Sequence, residues 1–129
     1  MKQVGLLALL VTLVSSNVFA STVSCEFTVV DNETKAFLAR NKEVFQRGDK
    51  SPIESLIYNQ DFFYRVTSDA EAVNVTLSHL KTKAVSLVSD RSIRWVDQKQ
   101  VQVPANFVGS LSINTGTQQL NLTAYCQEK

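Results

Sequence analysis

TVSCEFTVV, residues 22–30, alternates between two kinds of side chain. Val23, Cys25, Phe27 and Val29 fall on one phase; Ser24, Glu26 and Thr28 fall on the other. Successive side chains on a strand point to opposite faces, whereas a helix needs apolar residues three and four apart. The stretch reads as a half-buried strand with Cys25 on the inward phase. The same pattern recurs near the other end, in QLNLTAYC, residues 119–126. There Leu120, Leu122, Ala124 and Cys126 share the inward phase, and Asn121, Thr123 and Tyr125 face out. These are the only two cysteines. Two inward cysteines, one on the first strand and one on the last, predict a disulfide between Cys25 and Cys126 and place those strands side by side.

Alternation also governs the middle of the chain. In EAVNVTLSHL, Val73, Val75, Leu77 and His79 alternate with Asn74, Thr76 and Ser78. FFYRV, AVSLV, IRWV and SLSI give further short strands. INTGTQ, with Asn114 and Gly116, reads as a hairpin turn, because those residue types tolerate positive φ. TSDAE, KTK and SDRS separate other strands, and Pro104 in VPANF ends one. Residues 34–59 are ambiguous. Ser51, Pro52 and Glu54 have the form of a helix start, and Ile53, Leu56 and Ile57 are helically spaced, so residues 52–58 fit a short helical turn as well as a strand. The expected fold is all-β: an antiparallel sandwich or small barrel of about 8–9 short strands, with first and last strands adjacent. It is not an antibody-type domain, because the two cysteines flank the whole fold instead of sitting near a tryptophan in its middle.

Residues 1–20 read as a signal peptide. Lys2 supplies the positive start, Val4–Val14 the apolar run, and Val18 and Ala20 the residues before cleavage. The run is shorter than the ~20 residues a spanning helix needs. Cys25 lies too far past it, after a poorly matching TVS, to be a lipid-modified first residue. Residues 21–129 then form a single exported β-domain, periplasmic or secreted, with no membrane span after signal removal. Subtracting Lys2 from 13 basic residues leaves 12 against 12 acidic ones, a formal charge of zero. That argues against a nucleic-acid binder and a polybasic membrane anchor, both of which need clustered positive charge. The basic bias of Lys81, Lys83, Arg91, Arg94 and Lys99 over Asp90 and Asp97 is that of a solvated face.

The residues offer little for catalysis. His79 is the only histidine. Its neighbour Ser78 points to the opposite face, so a triad would need a distant serine, with Asp61 or Asp97 as third member. The plainer reading is a half-wet residue ending a buried stripe. SHLK, residues 78–81, has the Ser-x-x-Lys spacing of penicillin-interacting enzymes, but on a strand those two side chains diverge. One histidine and two remote cysteines do not make a zinc set. Asp31–Glu33 lacks the ordered spacing of a calcium loop. A carboxylate pair involving Asp61 is the remaining route to a hydrolase. No catalytic residue, metal or cofactor is assigned.

Two stretches suit binding. Phe62 and Tyr64, in FFYR, share one face and Phe63 the other, so one side can present aromatics. Arg94 and Trp95 are the second candidate, although Ile93 and Trp95 share a phase that points to the core. Three Asn-x-Ser/Thr sequons begin at Asn32, Asn74 and Asn121; the last two fall on the polar phase of their strands, which alone explains them. The expected function is a small binding or structural domain outside the cytoplasm, acting on an unidentified protein or small ligand. An inhibitor of a secreted hydrolase, presenting Val96–Phe107 as a loop, belongs to this class. A carrier of small apolar ligands is the alternative, and a hydrolase using His79 or a carboxylate pair comes third.

Overall fold

The computed structural model describes residues 21–49, 51–69, 71–91 and 93–129. The expected signal peptide, residues 1–20, lies outside them. The strands are β1 (Thr22–Asp31), β2 (Phe37–Gln46), β3 (Ile53–Ile57), β4 (Phe62–Ser68), β5 (Ala72–His79), β6 (Val85–Arg91), β7 (Ile93–Val96), β8 (Lys99–Gln102), β9 (Asn106–Asn114) and β10 (Gln119–Glu128). One antiparallel sheet has the order β2-β1-β10-β9 and a second the order β3-β4-β5-β6. They form a sandwich and not a closed barrel. The third, β7-β8, is a two-stranded hairpin inserted between β6 and β9.

The alternation in TVSCEFTVV becomes the centre of the first sheet. Val23, Cys25, Phe27 and Val29 are fully buried. β1 and β10 pair antiparallel with Cys25 opposite Cys126. The two are disulfide-bonded, with Cα atoms 4.1 Å apart. Such short spacing belongs to a non-hydrogen-bonded pair, where facing side chains come closest. From the second sheet, Phe62, Tyr64, Val75 and Leu77 fill the other side of the core. Phe27 on β1 and Tyr64 on β4 stack nearly parallel across the two sheets, 3.7 Å between ring centroids. At one side of the sandwich β9 passes close to β6. A Cβ on Gly109 would lie 2.6 Å from Cγ1 of Val88, so only glycine fits that approach.

Several sequence expectations change here. Residues 53–57 form β3 and not a helical turn. Pairing places Ile53, Ser55 and Ile57 opposite Val66, Tyr64 and Phe62. That ladder gives the backbone partners a five-residue helix would lack. The Ser51 N–H, part of the supposed helix cap, instead bonds the Asp49 carboxylate. Residues 37–46 form β2. Its stripe was illegible because Asn41 and Glu43 lie on the phase that faces β4: Tyr64 Oη donates to Glu43 and accepts from Asn41 Nδ2 at 3.2 Å. Ser89–Arg91 of SDRS lie within β6 and not in a turn. The strand count reaches ten because VDQK is a hairpin turn, with Asp97 and Gln98 at φ of 50° and 64°. That is the geometry of a type I′ turn, usually marked by Asn-Gly, which this sequence lacks.

Candidate functional site

The chain leaves the sandwich after β6 and returns at β9. Between them, β7 and β8 pair Ile93–Val96 with Lys99–Gln102. Residues 94–102 are all exposed. Trp95, the single tryptophan, is 71% exposed, and Val96 and Val101 are exposed on the same hairpin. Arg94, Val96, Lys99 and Val101 occupy one face of the hairpin by register, and Trp95 and Gln100 the other. A two-stranded hairpin is at best marginally stable alone in water. What ties it to the sandwich lies at its base.

Two carboxylates hold that base. Asp90, at the end of β6, accepts Arg94 Nη2 at 2.8 Å and the Asn106 N–H at 3.1 Å, joining the chain's exit to its re-entry. Arg94 Nε also donates to the Arg91 carbonyl at 3.0 Å. At the end of β10, Glu128 accepts the Ala105 N–H at 2.7 Å, just before the chain re-enters at β9, and the Glu128 N–H donates to the Ala105 carbonyl at 2.9 Å. Arg47 donates to Glu128 through both Nε and Nη2, a paired arrangement of the kind guanidinium and carboxylate favour. Nη2 also reaches the Val103 carbonyl at 3.3 Å, and Ser21 Oγ donates to Glu128. Both side chains of this ion pair are almost entirely buried. Desolvation pulls the Arg47 guanidinium below its usual range, and the nearby Asp90 charge opposes that fall. The pair sits where β1 begins, β2 and β10 end and β9 approaches. There it lines a cleft of about 200 Å³ together with the Gln102–Pro104 segment and Lys129. Sites for drug-sized ligands are larger, about 300–1,000 Å³.

The residues singled out in the sequence meet different fates. Phe62 and Tyr64 are fully buried. They do not form an exposed aromatic surface, because their phase of β4 faces the first sheet, where Tyr64 meets Phe27. Arg94 and Trp95 lie together on the hairpin. Trp95 is not a core residue: among the described residues β7 pairs only with β8, outside both layers. The side chain of Ile93 lies outside the described ones. His79 is not half wet but 2% exposed. The Thr82 N–H donates to its Nδ1 at 3.3 Å, and the Thr82 hydroxyl lies 2.9 Å from the same atom. Its ring packs on Phe62 at 4.8 Å between centroids. His79 thus organises the β5–β6 turn. Asp61, for its part, lies 3.9 Å from Lys81 Nζ.

Arg47 and Glu128 escaped the sequence reading, and Asp90 entered it only as part of a solvated face. A signal for Glu128 existed, since continuing the inward phase of β10 past Cys126 lands on it. A charged residue on a buried phase implies a partner. No protein family, curated protein or solved structure matches the chain.

Proposed function

We propose that this chain is a non-catalytic exported β-domain that binds a protein partner through the β7–β8 hairpin. The observation that carries this reading is Trp95, held 71% exposed on a projecting hairpin whose base is clamped by Asp90, Arg47 and Glu128. Tryptophan is enriched among the few residues that dominate interfaces, and its aromatic area needs only two side-chain torsions to be fixed. A hairpin fixed at its base has less conformational freedom to lose on binding. Arg91 and Lys99 are exposed beside it, which suits a partner surface with an apolar groove and an acidic margin. The expected inhibitor-like loop, Val96–Phe107, narrows to the hairpin and its returning strand. The Cys25–Cys126 bond suits an oxidising compartment, as the signal-like residues 1–20 also do.

The test is affinity capture from an envelope extract with the wild-type chain and with Trp95→Ala, followed by reconstitution with the purified captured protein. A defined 1:1 complex whose Kd rises by about 30-fold or more in the variant supports the reading. Equal affinity for both chains would overturn it, as would failure to capture any stoichiometric partner.

A further inference from the structure

We propose that the cleft at the base of the hairpin is a binding site for a small oxyanion, a carboxylate or a phosphate. Arg47 carries the argument. Its side chain is 3% exposed and spends Nε and Nη2 on Glu128 and Val103. Nη1 has no partner. A guanidinium offers only donors and stays charged, so what Nη1 lacks is an acceptor. Glu128, the nearest carboxylate, has no acceptor site to spare. Glu128 Oε1 takes Arg47 Nη2 and the Ala105 N–H, and Oε2 takes Arg47 Nε and the Ser21 hydroxyl. Asp90, whose charge also acts on Arg47, has one oxygen on Arg94 and the other on the Asn106 N–H.

None of the described residues supplies that acceptor, and the proposal assigns it to a ligand in the cleft. Arg47 and Lys129 bring two cationic side chains to the lining of the cleft, which favours an anion over a cation or a neutral apolar molecule. A volume of about 200 Å³ suits a small ion. Nη1 is closed off from bulk water, so the entering oxygen shifts the cleft wall outward. Val103 and Pro104, which form that wall, lie outside any strand. The site is independent of the hairpin's partner, although its wall is the segment on which the hairpin returns.

The experiment titrates the full disulfide-bonded chain with sodium acetate and, separately, inorganic phosphate, at constant ionic strength. Chemical shifts of the Arg47 side-chain N–H and the Gln102 backbone N–H are followed. We expect saturable shifts with a Kd of about 1–10 mM for at least one anion. The tighter of the two distinguishes a carboxylate ligand from a phosphate one. Lys129→Ala should weaken binding by about threefold or more. Because Arg47 alone cannot be removed without stranding Glu128, the control is the double variant Arg47→Met with Glu128→Met. Replacing a buried ion pair by apolar residues of similar size generally preserves a fold. Saturation should vanish in that variant. Linear shifts with both anions up to about 100 mM, or saturation that survives in the double variant, would overturn the proposal.

Discussion

Tyr64 shows how one hydroxyl can join two sheets. Its ring lies in the core against Phe27, while its oxygen reaches Asn41 and Glu43 on the edge strand β2. Burial raises its pKa above the usual tyrosine value, and the bond to Glu43 raises it further. The neutral phenol is thus favoured by folding. Its contribution is fully present below the unfolded pKa of about 10 and is lost as pH rises through the folded value. Tyr64→Phe should cost about 1–2 kcal/mol near neutral pH, since it leaves Glu43 short of a donor. Above about pH 10 the gap to wild type should shrink, because only wild type loses this term. Urea unfolding of both proteins across that range measures it, and parallel pH profiles would exclude the assignment. Trp95 sits at the opposite extreme. As the only tryptophan, and 71% exposed, it should emit like hydrated indole in the folded protein and change little on unfolding. Trp95→Ala should shift unfolding free energy by no more than about 0.5 kcal/mol. A blue-shifted native spectrum would contradict the hairpin's placement.

Among the elements, β6 and β9 depend on a missing side chain. Gly109 lies opposite Ala124 on the inward phase of β9, and Val88 comes against it from β6. Both valine methyls branch from Cβ, so Val88 has little freedom to yield. Gly109→Ala should destabilise by about 1–3 kcal/mol, the usual range for overpacking. Val88→Ala in the same chain should recover part of that loss. A double-mutant cycle in urea reads the coupling, and strict additivity would show that the approach is looser than described. This scale also explains what was legible. β1, β5 and β10 each have one buried and one wetter face, so their residues alternate cleanly. β2 carries Asn41 and Glu43 toward Tyr64, so its stripe is interrupted. β3 imitates a helix start because Asp49 and Ser51 form a local turn before it. The β7–β8 turn places Asp97 and Gln98 at positive φ without any glycine, which left the hairpin invisible and drew Trp95 into the expected core.

Across the whole molecule, the pairing of β1 with β10 was the most readable long-range feature. Two inward cysteines demanded it without any other contact being known. The buried ion pair beside it was unreadable as a pair, since nothing in QRGDK says that Arg47 turns inward. The disulfide closes a separation of 101 residues. On the chain-entropy account, reduction should lower unfolding free energy by up to about 4–5 kcal/mol. Comparing urea midpoints of oxidised and reduced protein tests this, and coincident midpoints would contradict it. Thiol titration of unfolded, unreduced protein should find no free thiols.

The order of the first sheet, β2-β1-β10-β9, puts the earliest and latest strands at its middle. During synthesis β1 can pair early with β2, its immediate successor. Its other edge stays bare until the final strand exists, with Cys25 made 101 residues ahead of its partner. Late arrival of a central strand gives high contact order, which slows folding. A truncation within β10 therefore does not trim a rim. It divides the sheet through its centre and leaves β9 without its hydrogen-bonded neighbour.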